Sequence, residues 1–361
     1  MSEVPQPILD IIRAAAAAPS GDNSQPWRFV FLPTETIEFH LIPNKDNPLL
    51  NVDESGTLIA LGAAVENAAV MAHSLGYVPD ILWNTENKTL VATMRLGSPD
   101  NTIDAGTLRL AKAIFERHSN RKTYSGAPLQ PDDKKALLSV LLDNTNLTPV
   151  FIEKREQLRA ISRNLTTMEE VALSNQTIHN LFFKNIFWSQ DRNERGEPGL
   201  YIDTLELPPP ARALFKVLRY WSVARVLSRL GFPRVVAKGN AEQNASASVF
   251  VCIAAKQFDR KTFLETGRML ERFWLTATDR RMAFQIVTGL LFLARRAQKE
   301  TNTDIFTTLQ KDLIQKAYES FRILIDAKDI EPVIAFRIGY ADKPTAYAHR
   351  LTPHIEVQSA Y

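Results

Sequence analysis

Apolar positions along the chain switch between two periods, and the switches divide it into elements. Small and apolar residues fill 9–18 at helical spacing, interrupted only by Asp10 and Arg13, and predict an alanine-rich helix. The segments 28–32 and 37–42, rich in β-branched and aromatic residues around the turn 33–36, predict two strands. In 57–75, Ala60, Ala63, Ala64, Asn67, Ala68, Met71 and Leu75 recur at helical spacing, and so many alanines predict a helix packed closely on a neighbour. Strands follow at 81–83 and 89–94, then a polar break at 98–104 and a helix ending near Glu116.

From Arg117 the pattern restarts. A helix is predicted at 132–142, a strand at 149–152, and one long helix at 155–173 with Leu158, Ile161 and Leu165 on one side. A second core strand, 248–255, precedes a helix at 262–278. Setting 62–66 beside 267–271 brings Ala72 opposite Ala277, a weak internal repeat of the central helix. The last third adds helices at 287–298 and 305–325, a strand at 333–339, and a tail, 346–361, carrying His349, Arg350 and His354.

Between the shared elements lies a long insertion, 174–244. Its helix at 211–230 has an apolar stripe of Val217, Tyr220, Ala224 and Leu227, with Arg212, Lys216 and Arg219 on another side and Arg225 and Arg229 further along. A basic amphipathic helix suits either packing as a lid on its own protein or a membrane surface. Phe182, Phe183, Trp188 and Trp221 are the aromatic candidates to line such a lid.

With 361 residues and 45% apolar content the chain can bury a sizeable core, in two domains or one duplicated domain. A net charge of +3 gives no electrostatic case for nucleic acid from the total. The single cysteine, Cys252, lies in an apolar run and excludes an intrachain disulfide, which fits a reducing, cytoplasmic setting. The first 18 residues lack the basic start and long apolar core of a signal peptide, and no apolar run reaches the length of a bilayer span.

Chemistry concentrates in two stretches. The first, Ala18-Pro19-Ser20-Gly21-Asp22-Asn23-Ser24-Gln25-Pro26-Trp27, joins the opening helix to the first strand. Its small residues let a ligand approach the backbone, Asn23 and Gln25 offer amide donors and acceptors, and the prolines stiffen its ends. Ser-Gly-Asp-Asn-Ser is also ordinary turn chemistry. The second, Arg117-His118-Ser119-Asn120-Arg121-Lys122, sets two guanidinium forks around a hydroxyl, able to hold a phosphate bidentately. Taken alone it is also a solvated basic cluster.

Together the two stretches resemble the nitroreductase family. A-P-S-x-x-N-x-Q-P-W-x-F looks like that family's FMN-contacting loop, and Arg117–Arg121 resembles its R-[RH]-S-x-[RK] segment on the FMN phosphate and ribityl chain. The resemblance implies an α+β fold of mainly antiparallel sheets flanked by helices. The ligand motifs are divided between the two copies of the repeat, which is similar to the single-chain, duplicated Acg-type branch, where one chain imitates the family's homodimer. It implies halves at 1–116 and 117–361, with 174–244 as a helical lid over the flavin.

The cofactor implied is FMN, held by Pro19, Ser20, Gly21, Asn23, Gln25, Arg117, His118, Ser119 and Arg121. Ile286 and Val287 are expected where the family has its flavin-edge turn, although that turn commonly carries a proline, and Arg350 is the candidate for the family's C-terminal basic residue on the phosphate. The activity implied is NAD(P)H-dependent reduction of a nitroaromatic or quinone-like acceptor, in a monomer or homodimer. The flavin carries such chemistry, so no side chain is nominated as acid, base or nucleophile. A lid that excludes nicotinamide implies instead a protein that sequesters FMN without turnover, and a domain serving a larger biosynthetic machine is a further reading. The sequence contains no G-x-G-x-x-G, Walker loop, G-x-S-x-G or H-E-x-x-H, and its six histidines are scattered, so no metal site is expected.

Overall fold

The computed structural model describes residues 4–97, 103–140, 146–299 and 305–358. The first stretch runs α1 (Gln6–Ala16), β1 (Trp27–Leu32), β2 (Thr36–Leu41), α2 (Ser55–Ser74), β3 (Pro79–Trp83), β4 (Leu90–Leu96) and α3 (Ala105–Glu116). Next come α4 (Pro131–Leu138), β5 (Leu147–Ile152), α5 (Arg155–Leu165), α6 (Thr167–Ser174), α7 (Gln176–Lys184), β6 (Ile186–Phe187), α8 (Gln190–Glu194) and β7 (Leu200–Tyr201). The remainder is α9 (Pro209–Leu218), α10 (Trp221–Arg229), α11 (Phe232–Ala245), β8 (Val249–Ala255), α12 (Arg260–Asp279), β9 (Ala283–Ile286), α13 (Gly289–Gln298), α14 (Thr308–Leu324), β10 (Glu331–Gly339) and β11 (Ile355–Val357).

One sheet has the strand order β11-β1-β2-β4-β3 and another β5-β8-β10-β9, while β6 and β7 form a small parallel pair. Every neighbouring pair in the two larger sheets is antiparallel except β1 with β11. Apart from the elements inserted between β5 and β8 (α5 to α11 with β6 and β7) and between β9 and β10 (α13 and α14), the succession helix, strand, strand, helix, strand, strand occurs twice. Both times the four strands stand in the order first, second, fourth, third, and both times the second helix is the long central one.

The two central helices hold the sheets together. Helix α2 is apolar on all sides and packs on β2, β3 and β4, whereas α12 packs on β5, β8, β9 and β10. They meet at two glycines: a Cβ on Gly62 would lie 1.9 Å from the Leu264 carbonyl oxygen, and one on Gly267 2.0 Å from that of Ile59. Only glycine permits backbones this close. Asn51 starts α2 by accepting the Gly56 and Thr57 amides, and Asp259 starts α12 by accepting that of Thr262. Strand β8 is buried along its whole length. Val249, Val251 and Ile253 join the core shared with the central helices, and Phe250 and Cys252 join a second core with α5, α13 and α14. Against the sequence expectation that no apolar run reaches the length of a bilayer span, Val52–Ser74 is long and apolar enough to cross one, but because α2 is wrapped in this way the stretch is mostly buried inside the protein.

Several element boundaries differ from the sequence expectation. The single helix expected at 155–173 is two, α5 and α6, because the Thr166 hydroxyl turns back to the carbonyls of Ser162 and Arg163. The helix expected at 211–230 is likewise two, α9 and α10, followed by a third, α11, that the pattern did not signal. Gly231, at φ +80°, makes the turn between the last two. At 287–298 the helix begins only at Gly289, and Val287 and Thr288 link it to the short strand β9 (Ala283–Ile286) on β10. The tail contributes β11, which runs from the end of the chain back to β1. The expected break at 98–104 and the end of the helix at 132–142 lie partly outside the described residues.

Candidate functional site

A cavity of about 1270 Å³ opens beside the crossing of α2 and α12. Its wall brings together the loop after α1, the segment after α3, the start of β9 and the tail before β11. Of the residues singled out from the sequence, Pro19, Ser20, Gly21, Asn23, Arg117, His118, Ser119, Arg121, Ile286 and Arg350 line it. Two do not. Gln25 is buried behind the loop, where its Nε2 donates to the Gly196 carbonyl (2.8 Å) and its Oε1 accepts the Leu351 amide (2.8 Å). Val287 is turned into the second core and donates its amide to the Ala335 carbonyl (2.9 Å).

The loop after α1 is contorted. Asp22, Asn23 and Gln25 all have left-handed backbones, at φ +47°, +55° and +51°. Such conformations each cost a non-glycine residue on the order of 1 kcal/mol and persist only where surroundings enforce them. Here the Ser20 hydroxyl accepts the Gln25 amide (3.0 Å), Asn23 Nδ2 donates to the His349 carbonyl (3.0 Å), and the Gly199 amide donates to the Asp22 carbonyl (2.9 Å). Asn23 Oδ1 and, on the same wall, the hydroxyl of Thr288 are buried and have no partner among the described residues, so both can bond a ligand.

The segment after α3 is extended and pinned from behind. The Asn120 amide donates to the Phe284 carbonyl (2.8 Å), Asn120 Nδ2 to the Asp342 carbonyl (2.8 Å), and the Tyr124 hydroxyl to the Asn120 carbonyl (2.9 Å). Arg337, fully buried, lies 4.0 Å above the Tyr124 ring and donates to the Lys122 carbonyl, the Gln243 carbonyl and Gln285 Oε1. Three guanidinium groups line the cavity, Arg117 and Arg121 from this segment and Arg350 from the tail. Arg117 donates through Nη2 to the Ala17 carbonyl and lies 4.3 Å from the centre of the Trp274 ring. Its Nε is 3.1 Å from Glu271 Oε1, out of hydrogen-bond alignment. Arg121 uses Nη1 on the Thr204 carbonyl, and Arg350 uses Nε on that of Ala18 and Nη1 on those of Ala348 and His349. Nη1 of Arg117, Nε and Nη2 of Arg121, and Nη2 of Arg350 have no partner among the described residues.

The electrostatics of the wall are those of charges brought together out of water. Burial, reinforced by the like charge of Arg117, pulls the Arg350 guanidinium down to about 9, with Glu271 opposing. Burial pushes the Glu271 carboxyl up to about 7 against the pull of Arg117, and Asp46 on the same wall up to about 6. Asp22 is also raised by burial, against its bond from Asn185 and the charge of Arg121. Burial lowers His118, against the bond between its Nδ1 and the Glu116 carbonyl (2.7 Å). Three convergent cations with unused donors, beside acids whose ionisation burial disfavours, describe a pocket suited to an anion, with apolar walls from Ile59, Leu270 and Trp274.

The sequence reading missed Glu271, Thr288, Asp46 and Arg337. Only Glu271 left a trace, as the acid that repeats Glu66 in the two central helices.

No family model matches the chain. It is 22% identical over 354 residues to an "Uncharacterized protein" of Mycobacterium tuberculosis, an alignment covering 97% of this chain and 48% of that protein. It is 27% identical over 128 residues to a "Putative NAD(P)H nitroreductase" of the same organism, covering 35% of this chain and 36% of that one. The chain thus spans about half or less of the length of the curated relatives it matches. Among solved structures it is similar to a nitroreductase with bound FMN from Bacteroides fragilis, with TM-score 0.35 and 11% identity over 67% of this chain and 92% of that one. An FMN-dependent nitroreductase from Mycobacterium smegmatis in complex with NADPH gives TM-score 0.34 and 13% identity over 65% and 88%. An iodotyrosine deiodinase bound to FMN and 3-iodo-L-tyrosine gives 0.35 and 10% over 70% and 98%.

Proposed function

We propose that the chain binds FMN in this cavity and acts as an NAD(P)H-dependent oxidoreductase of the nitroreductase type. The observation that carries the proposal is the meeting of the loop 19–23 with Arg117, Arg121 and Arg350, segments about a hundred and more than three hundred residues apart, around one cavity. The residues present fit the group. A mononucleotide brings a phosphate dianion for the free guanidinium donors, hydroxyl and imide donors for the orphaned oxygens of Asn23 and Thr288, and a flat ring for the apolar wall. FMN, when bound, supplies two-electron chemistry between a reduced nicotinamide and an electron-poor acceptor such as a nitroaromatic or quinone.

In this reading Arg121 and Arg350 hold the phosphate through donors the protein leaves free. Arg117 contributes Nη1 while its other side neutralises Glu271. Asn23 fixes the polar edge of the ligand, and Leu270, Trp274 and Ile59 exclude water from its ring. The repeated strand order and the pairing of Gly62 with Gly267 support reading 1–116 and 117–361 as two halves of a pseudo-dimer. The reading predicts that purified protein incubated with FMN retains a flavin absorbance band after desalting, retains riboflavin far less well, and loses FMN in Arg121→Ala/Arg350→Ala. Protein that stays colourless with FMN refutes it.

A second reading, FMN sequestration with little turnover, is favoured by the insertion. Its stretch 185–204 covers the loop: Asn185 donates to Asp22, Gln25 donates to Gly196, and the Thr204 carbonyl accepts from Arg121. Such a strap acts as a lid over the flavin. Rapid mixing of the loaded protein with NADPH or NADH separates the readings, since loss of the flavin colour within seconds excludes sequestration and its persistence excludes the reductase.

A further inference from the structure

The insertion has a second part, residues 209–245, none of which lines the cavity. Residues 209–245 carry seven Lys and Arg against the single acid Glu242, twice the net charge of the whole chain, so the remainder is net acidic. Four of these cations are engaged: Arg212 with Asp203, Arg234 with Glu170, Lys216 above the Trp188 ring and Arg219 above that of Tyr220. Arg225, Arg229 and Lys238 have no ion pair among the described residues.

Large aliphatic side chains stand among them. Val226, Leu230 and Val235 are 54%, 76% and 66% exposed. Val226 and Leu230 are four residues apart, so they share one face of α10 with Arg229 between them, and Val235 lies in the first turn of α11 beside Arg234. The turn between the helices protrudes, since a Cβ on Gly231 would meet nothing within 4 Å. The inward face of α10 is already satisfied: Ala224 is buried, and the helix packs on α6 and α7. The helix is therefore apolar on the side that packs and apolar with basic flanks on the side that does not.

We propose that this corner, residues 225–238, docks on the surface of an anionic phospholipid bilayer. The occupant follows from the chemistry of the patch. Unpaired cations ask for a dense anionic surface, while three aliphatics on a protruding turn gain nothing from nucleic-acid phosphates and much from the apolar zone beneath lipid headgroups. The interaction is peripheral, made by a folded surface through short helices, and it is independent of what the cavity binds.

Full-length protein is sedimented with phosphatidylcholine vesicles, with and without about one third phosphatidylserine. The expected result is binding that requires phosphatidylserine and weakens with salt. It falls about a hundredfold in Arg225→Glu/Arg229→Glu/Lys238→Glu. It also falls in Val226→Ser/Leu230→Ser/Val235→Ser, which keeps every charge. Both variants alter exposed side chains, and unchanged unfolding midpoints confirm that they fold. Three results overturn the proposal: no phosphatidylserine-dependent binding, binding that survives either triple substitution, or equally tight binding to duplex DNA or a polyglutamate chain.

Discussion

The crossing of α2 and α12 makes a quantitative test because the same substitution has opposite signs in two helices. Replacing a helical glycine by alanine normally stabilises by about 0.5–1 kcal/mol, through reduced freedom of the unfolded chain and better helix propensity. At Gly239 in α11 nothing lies within 4 Å of the added Cβ, and Gly239→Ala should show that gain. At Gly267 the Cβ would stand 2.0 Å from the Ile59 carbonyl oxygen, 2.8 Å from the Ile59 carbonyl carbon and 2.9 Å from the Ala63 amide nitrogen. These are backbone atoms of a buried helix and cannot swing aside, so the helices must separate by roughly 1 Å or more. Overpacking on this scale costs about 1–3 kcal/mol or more, which outweighs the propensity gain. Ile59 and Ala60 on α2, and Leu270 and Trp274 on α12, line the cavity, so the separation also loosens its wall and weakens FMN retention. Urea unfolding of the two variants beside the parent protein is the assay. A Gly267→Ala protein as stable as the parent would show that the helices do not cross at this distance.

Other expectations follow from the buried charges and the strap. Arg117→Ala removes the cation facing the buried Glu271 carboxyl, and its cost in urea unfolding should grow toward about 3–5 kcal/mol as pH rises above about 7, where that carboxyl ionises. Arg121→Ala, which breaks one bond to a carbonyl, should cost no more than about 1 kcal/mol while abolishing FMN retention. Because burial raises the Glu271 carboxyl to about 7, its stabilising contribution is complete below the unfolded carboxyl's value of about 4.3 and is lost as pH rises through about 7, with Asp46 acting in the same direction up to about 6. Glu271→Gln should flatten that decline, and unfolding midpoints across this pH range measure it. Gly196, at φ +69° with its Cβ position 2.1 Å from the Arg350 carbonyl carbon, cannot accept a side chain. Gly196→Ala should lift the strap and speed hydrogen exchange at the Gly199 amide, and unchanged exchange would show that the strap is not held there.

Much of this was legible in the sequence, for reasons that can be stated. Alternation and helical spacing locate strands and helices wherever one face is buried, which is how β1, β2, α2 and α12 announce themselves. Helix α11 was missed because Arg234, Lys238 and Gly239 interrupt its spacing, and β9 because four residues show no period. The break at Thr166 depends on a side-chain bond that composition does not reveal. In the site, the loop and the arginine segment stand out by residue type, but the part each residue plays depends on partners far away in the chain. Gln25 reads as a ligand-facing amide, yet its bonds to Gly196 and Leu351 make it the clasp between loop, insertion and tail. Arg117 reads as a phosphate fork, and most of its guanidinium is spent on Glu271, Trp274 and Ala17.

The reason Arg117 is spent there lies in the central helices themselves. Glu66 and Glu271 each stand four residues beyond a crossing glycine and are fully buried. Burial pushes the Glu66 carboxyl up, but Arg272 and Arg268, both on α12, together hold it below its ordinary range. In the register that pairs Gly62 with Gly267, the positions of α2 matching Arg268 and Arg272 are Ala63 and Asn67, neither of which carries a charge. Glu271 therefore obtains no cation from the facing helix, and an unpaired carboxylate in that position would be strongly destabilising. The cation comes from Arg117, just beyond α3. Its recruitment brings the extended segment against α12, where the same stretch of backbone presents Ser119 and Arg121 to the cavity. A difference of two side chains between otherwise matching helices thus links the packing of the core to the placing of the anion-binding residues. It also explains why Arg117→Ala should damage stability and ligand binding together, whereas Arg121→Ala should separate them.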